Sequence, residues 1–70
     1  MVQIFKKRLK EELKASGLTT QQFADEIGVS PEMVIQYFTT KKLPKLDTFT
    51  KICKALNVSA DYLLGLKDYY

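Results

Sequence analysis

Residues 17–38 read GLTTQQFADEIGVSPEMVIQYF, and local chemistry divides this stretch into two short helices. Thr19 followed three residues later by Gln22 is a capping-box signature, in which each side chain accepts a backbone N–H of the other residue. This signature predicts that a helix begins at about Thr20. Its apolar residues share one face, and Gly28 is suited to end it because glycine adopts positive φ without strain.

The second half of the stretch predicts another helix after a very short connection. Ser30 is a favoured N-cap and Pro31 is a favoured first helical residue, so this order marks a helix start. We expect the helix to reach about Phe38. Two helices joined by a three-residue turn that contains glycine form a helix-turn-helix pair, here over about residues 20–38.

The segment before this pair predicts a charged helix with one apolar stripe. Phe5, Leu9 and Leu13 recur every four residues, which places them on one helical face. Gly17 is a natural left-handed cap at the end of this helix. We therefore expect the three apolar side chains to face the core.

Two more helices are predicted after the pair. Apolar residues at helical spacing predict one over about residues 46–56, and Asn57 is able to take the left-handed cap conformation that glycine usually fills. Ser59 is the N-cap of a last helix over about residues 60–64. Because no segment alternates with period two, the sequence predicts an all-α fold of five helices, in one domain over residues 1–70.

Composition narrows the function classes. The chain has no histidine and one cysteine, Cys53, which lies on the apolar stripe of the fourth predicted helix and is expected in the core. Without histidine there is no His-based triad, and one cysteine makes neither a disulfide nor a zinc finger. We therefore expect no enzyme activity, no metal site and no cofactor.

A single cysteine and the lack of a secretion signal together predict a cytoplasmic protein. Residues 1–14 carry charges throughout and contain no signal-peptide core. No apolar run approaches the roughly 18 residues that span a bilayer. We expect no membrane segment, and with 70 residues there is no room for a ligand-sensing domain, so no small-molecule effector is expected.

Charge is segregated along the chain although the net charge is only +3. Residues 1–14 carry five positive and two negative side chains, and residues 39–54 carry five lysines against Asp47. Residues 15–38 between them carry three acidic side chains and no basic one. Two basic segments of this kind fit a nucleic-acid partner, and they also fit solvated helix faces.

Two stretches together carry a resemblance to a known family. They read GLTTQQFADEIGVSPEMV at residues 17–34 and LPKLDTFTKICKALNVSADYLL at residues 43–64. In these stretches the chain resembles the Cro and lambda-repressor family of helix-turn-helix regulators, also called the XRE family. The resemblance covers about residues 5–66 and implies a lambda-repressor-like fold and double-stranded DNA as the partner.

The family likeness also implies which residues contact DNA, because the second helix of such a pair lies in the major groove. Gln36 suits the N6 and N7 atoms of adenine, and Glu32 suits the N4 amino group of cytosine. The residues implied to read bases are Pro31, Glu32, Ile35 and Gln36. The residues implied to contact the DNA backbone are Thr20, Gln21, Ser30, Lys41, Lys42 and Lys45.

A transcriptional regulator of this size is expected to act as a homodimer. One short recognition helix reads few bases, and a two-fold dimer on an inverted repeat doubles that number. Repression follows where the site overlaps a promoter. The preferred dimer contact is the region of the last helix, with Leu63, Leu64, Leu66, Tyr69 and Tyr70, although the two tyrosines also fit a frayed terminus.

A second function class stays open on the residues alone. Met33, Ile35 and Phe38 either fill the core from the side or form an exposed apolar patch. A patch would fit a protein partner, as in an antitoxin or an antirepressor built on the same fold. The chain also departs from the family pattern at Thr39-Thr40, where an Asn-Gly turn is usual, and at Lys45, where a serine often caps the fourth helix.

Overall fold

The computed structural model describes residues 2–68, so Tyr69 and Tyr70 lie outside the described residues. Over this range the chain forms five helices and no strand, which confirms the all-α prediction. The helices are α1 (Val2–Ser16), α2 (Thr20–Ile27), α3 (Pro31–Thr39), α4 (Leu46–Leu56) and α5 (Ala60–Leu63). The ends of α3 and α5 each differ by one residue from the predicted ends.

The helix starts follow the predicted cap chemistry, with one exception. The Gln22 N–H donates to Thr19 Oγ1 at 3.1 Å, and the Thr19 N–H donates to Gln22 Oε1 at 2.9 Å, which completes the capping box of α2. Ser30 Oγ accepts the Met33 N–H at 3.2 Å and caps α3. Lys45 occupies the N-cap position of α4, and its side chain makes no cap hydrogen bond.

Left-handed residues end α2 and α4 where the sequence predicted them. Gly28 has a φ of 76°, and Asn57 has a φ of 56°. The N–H groups of Gly28 and Val29 both donate to the Ala24 carbonyl, at 2.9 and 3.0 Å. These two hydrogen bonds to one carbonyl end α2, and the chain enters α3 three residues later. Ala24 itself is fully buried, as its small size between two close helices predicts.

One core cluster draws residues from all five helices. α1 packs against α3, α4 and α5, and α2 packs against α3 and α4. The predicted stripe of α1 is confirmed, since all three of its members are buried. The buried apolar residues are Phe5, Leu9, Leu13, Phe23, Ala24, Ile27, Val34, Tyr37, Ile52, Leu56, Val58 and Leu63.

Leu63 is a correction to the expected dimer surface. Its side chain is fully buried in the core, so it is not available to a second copy of the chain. Leu64 is half-buried, whereas Leu66 is 73% exposed. Helix α5 is short, and Leu63 is its one buried residue. The consecutive leucines at positions 63 and 64 did not show from the sequence which of them faces the core.

The segment after α5 is held against α1 by Arg8. The guanidinium of Arg8 donates to the carbonyls of Tyr62 and Lys67 at 2.5 and 2.6 Å. It also lies 4.3 Å from the centre of the Tyr62 ring, and Asp68 is 3.5 Å away. A planar guanidinium suits this combination of ring stacking and forked hydrogen bonds. Arg8 is therefore engaged on the α5 side of α1.

Candidate nucleic-acid interface

Helix α3 is strongly two-sided. Its inner face is anchored by Val34, which is fully buried, and by Tyr37, which is 4% exposed. Because residues three and four apart share a helical face, the outer side chains form one continuous stripe along the helix. The exposed members of this stripe are Glu32, Ile35, Gln36 and Thr39. Three of the four predicted base readers lie on this outer stripe, and Pro31 is half-buried at its start.

The apolar patch considered for α3 does not form. Met33 and Phe38 are half-buried and pack against the core cluster. Ile35 is the exposed member of the three, at 46%. Two of the three side chains thus fill the core from the side. Ile35 is the remaining exposed apolar residue, and it lies on the stripe with the polar Glu32 and Gln36.

The start of α2 holds two of the residues predicted to contact the DNA backbone. Thr20 is half-buried in its first turn, and Gln21 is exposed. The Gln21 amide donates from Nε2 to Asp25 Oδ1 at 3.0 Å, one turn further along the helix. This bond fixes the direction of the Gln21 side chain and leaves its second N–H available to another acceptor.

The end of α3 is closed by two hydroxyl groups rather than by a left-handed residue. Thr39 Oγ1 donates to the Ile35 carbonyl at 2.7 Å, and Thr40 Oγ1 donates to the Gln36 carbonyl at 2.8 Å. Thr40 is extended, with a φ of −123°. The Thr39-Thr40 pair therefore satisfies terminal carbonyls of α3 without the positive φ that an Asn-Gly turn would use.

The loop after α3 presents the three predicted backbone-contacting lysines. Lys41, Lys42 and Lys45 are all exposed. They follow directly on the outer stripe of α3 in the chain, so a basic loop comes immediately after the predicted base readers. Among the described residues, this arrangement of a mostly polar helix face next to clustered lysines fits an anionic partner.

Lys6 of α1 was not singled out in the sequence analysis, and it contacts the backbone of both α3 and the basic loop. Its ammonium group donates to the Tyr37 carbonyl at 2.8 Å and to the Lys42 carbonyl at 3.0 Å. Partial burial lowers the pKa of Lys6 from its ordinary value by desolvation. The sequence feature that could have pointed to Lys6 is its position next to the buried Phe5. A lysine at the border of an apolar stripe can lay its stem along the core and reach the neighbouring helix.

The described residues show neither a candidate metal site nor a candidate membrane span. No group of three or more His, Cys, Asp or Glu side chains within residues 2–68 is arranged to hold a metal ion. Over the same residues, no helix has both the length and the apolar character needed to cross a membrane.

Comparison with known proteins agrees with this geometry. A family model described as helix-turn-helix matches residues 9–63. The chain belongs to this helix-turn-helix family. Its fold is the all-α, lambda-repressor-like fold of the Cro and XRE regulators, as the two sequence stretches predicted. The match includes both α2 and α3 and the loop that carries the lysines.

Curated relatives carry names from the same class. The chain is 38% identical over 61 residues, or 87% of its length, to the uncharacterized HTH-type transcriptional regulator YobD of Bacillus subtilis. It is 40% identical over 60 residues, or 86% of its length, to the cryptic phage CTXphi transcriptional repressor RstR of Vibrio cholerae. The chain spans 54% of each of these two proteins, so about half of their length has no counterpart in the matched region.

One relative carries an enzyme name. The chain is 43% identical over 49 residues to the methylphosphonate synthase of Nitrosopumilus maritimus, and this match covers 70% of the chain but 11% of that protein. The likeness is therefore limited to one small part of a much larger protein. No solved structure matches the chain significantly.

Proposed function

We propose that this protein is a sequence-specific DNA-binding transcriptional regulator, and that it acts as a repressor. The observation that carries the proposal is the outer stripe of α3 followed directly by the exposed lysines of the next loop. The names of the relatives, which include transcriptional regulators and a phage repressor, support the same class. The proposed activity is non-enzymatic, and the proposed compartment is the cytoplasm.

In this proposal α3 lies in the major groove and reads base edges. Gln36 pairs with adenine through two hydrogen bonds, and Glu32 accepts a hydrogen bond from cytosine. Ile35 contacts a thymine methyl group, which suits the one apolar side chain on the stripe. Pro31 packs at the edge of the groove, where its rigid ring holds the start of α3.

Backbone contacts then set the register of α3 on the duplex. The Thr20 and Ser30 hydroxyls, near the N-termini of α2 and α3, suit phosphate oxygens because helix N-termini favour anions. Gln21 contributes its second amide N–H. Lys41, Lys42 and Lys45 supply the charge, and each neutralises one phosphate.

We further propose that the protein binds an inverted repeat as a homodimer. A single module of this kind buries only roughly 600–1,000 Å² of protein surface on DNA, which limits the affinity of one copy. Two copies would place their α3 helices in successive major grooves, about 34–36 Å apart. Of the leucines predicted for the contact between copies, Leu66 is 73% exposed and Leu64 is half-buried.

The test is the salt dependence of binding to duplex DNA. Lys41→Met, Lys42→Met and Lys45→Met are compared with the wild type and with Lys14→Met, which removes an exposed charge from the end of α1. Each loop variant should weaken binding to every duplex and reduce the slope of log K against log salt by about 0.9, whereas Lys14→Met leaves the slope unchanged. If all four variants keep the wild-type slope, the loop lysines do not contact the DNA backbone.

The antitoxin or antirepressor alternative depended on an apolar surface of α3. Because Met33 and Phe38 pack against the core, that surface is reduced to Ile35. No observation on the described residues favours this second class over DNA binding.

A further inference from the structure

Lys6 connects three parts of the molecule through one ammonium group. It belongs to α1, and its Nζ bonds the Tyr37 carbonyl in the last turn of α3 and the Lys42 carbonyl in the basic loop. These partners lie 31 and 36 residues away along the chain. A cation beside the last carbonyls of a helix is favourable, because those carbonyls carry the negative end of the helix dipole.

The loop has few other hydrogen bonds that define its path. The Lys42 N–H donates to Thr40 Oγ1 at 3.1 Å, and the Lys45 carbonyl accepts the Phe49 N–H at 2.8 Å as α4 begins. Between these two points, Lys6 supplies the long-range hydrogen bond to the loop backbone. Among the hydrogen bonds of the described residues, this one ties the backbone of the loop to a distant helix, and it adds to the packing of the half-buried Pro44.

We propose that Lys6 is a positioning residue for DNA binding, which holds the basic loop and the end of α3 in a fixed relation. The inference rests on the function proposed above. Phosphate contacts fix the register of a protein on its duplex, so the placement of Lys41 and Lys42 relative to the α3 stripe decides whether both sets of contacts form together. Lys6 acts through the two carbonyls, since its ammonium group is already engaged with them.

This role differs in a measurable way from direct contact with a phosphate. A lysine that neutralises a phosphate contributes about 0.9 to the salt slope, so its loss lowers both the affinity and the slope. A lysine that only positions the loop contributes no released counterion. Its loss lowers the affinity, because the loop must be ordered during binding, but the loop lysines still reach the same phosphates and the slope stays unchanged.

The first experiment measures affinity and salt slope for Lys6→Met, Lys6→Arg and the control Lys7→Met. The methionine keeps the apolar stem of Lys6 and removes its charge, and Lys7 is an exposed neighbour on α1. We expect Lys6→Met to bind every duplex about tenfold more weakly with an unchanged slope. Lys7→Met should bind like the wild type, and Lys6→Arg should restore most of the affinity. Circular dichroism confirms that each variant is folded at the assay temperature.

The second experiment measures amide hydrogen exchange at Thr40 and Lys42 in the protein without DNA. Faster exchange at these amides in Lys6→Met, and not in Lys7→Met, is expected if Lys6 holds the loop. Unchanged exchange would overturn the proposal that Lys6 holds the loop. In the first experiment, a salt slope lowered by about one unit would show that Lys6 contacts a phosphate instead. Unchanged affinity in a folded Lys6→Met would also overturn the inference. Failure of the wild type to bind any duplex would reject the proposed function and this inference with it.

Discussion

At the scale of single residues, the outer stripe of α3 mixes side chains that suit DNA to different degrees. Gln36 is neutral and has a donor and an acceptor, so it matches adenine without an electrostatic cost. Glu32 carries a negative charge on the same exposed stripe, and near phosphates this charge is repelled unless it accepts a hydrogen bond from a base. In the proposed complex the two residues therefore differ in kind: Gln36 would add affinity and specificity, whereas Glu32 would mainly exclude wrong bases.

Replacing Gln36 with alanine tests this readout. Gln36→Ala should cost about 1–3 kcal/mol on the preferred site and relax the preference at one base pair, because a bidentate contact is lost. Affinities are measured on the preferred duplex and on duplexes with each base pair changed. Gln3→Ala removes an exposed amide from α1 and serves as the control. An equal loss on all duplexes would mean that Gln36 does not read a base.

Cys53 is the other residue whose environment makes a prediction. It is half-buried against the core, and burial raises the pKa of its thiol above the ordinary value of 9.0, although a hydrogen bond to its own backbone opposes this. At about pH 8 the folded protein should react with a thiol reagent at least about tenfold more slowly than the chain unfolded in guanidinium. Equal rates would place the thiol at the surface.

The same raised pKa gives the sign of a pH effect on stability. The neutral thiol is favoured in the folded state, so its contribution is complete below the ordinary value of 9.0 and is lost as pH rises through the higher folded pKa. Denaturant unfolding of the wild type and of Cys53→Ala over this alkaline range isolates the effect. Parallel pH profiles for the two proteins would contradict it.

At the scale of elements, the N-caps show where stability and binding compete. Thr19, Ser30 and Ser59 each accept a backbone N–H at the start of a helix. Lys45 stands at the corresponding position of α4 and makes no such bond. The amide in the first turn of α4 that a serine there would cap donates instead to Asp47 Oδ1 at 2.9 Å. Lys45 adds a positive charge next to the other two loop lysines.

The substitution Lys45→Ser should separate these two effects. A serine N-cap is expected to raise the free energy of unfolding by less than the cost of losing a cap, which is about 0.5–2 kcal/mol, because the Thr48 N–H already has Asp47 Oδ1 as its acceptor. The same change should lower the salt slope of DNA binding by about 0.9. Lys42→Ser is the matched control: it should lower the slope without raising stability. A less stable Lys45→Ser protein, or an unchanged slope, would contradict the assignment.

The elements themselves could be predicted closely because their limits depend on local chemistry. The capping box at Thr19, the Ser30-Pro31 start and the left-handed Asn57 all involve residues within one turn of each other. Lys6 and Leu63 could not be placed in this way. The bonds of Lys6 span more than 30 residues, and the burial of Leu63 depends on how α5 meets α1, so both are properties of the tertiary packing. Sequence alone also left Met33 and Phe38 undecided, because both positions border the inner face of α3.

At the scale of the whole molecule, charge and packing are arranged around α1. Its buried stripe joins α3, α4 and α5, and two of its basic side chains bind other segments on different sides of that stripe. Lys6 holds the basic loop, and Arg8 holds the segment after α5. Since the first surface is proposed to bind DNA and the second leads to the exposed Leu66, α1 connects the proposed DNA surface with the candidate contact between copies.

The proposed dimer on DNA has a separate measurable consequence. On a duplex with two inverted half-sites, binding should be cooperative and the complex should contain two chains by sedimentation. Leu66→Glu should reduce this cooperativity by about 1–3 kcal/mol of coupling while leaving binding to a single half-site unchanged. If Leu66→Glu leaves cooperativity intact, the contact between copies lies elsewhere.

The central claim is that the protein reads a DNA sequence through α3, and selection from a random duplex pool tests it most directly. Purified protein is incubated with the pool at about 0.15 M salt, where non-specific binding is weak, and bound duplexes are sequenced. We predict enrichment of an inverted repeat with half-sites about one helical turn apart, and the loss of one preferred base pair in Gln36→Ala. A folded protein that enriches no sequence from the pool would contradict the claim.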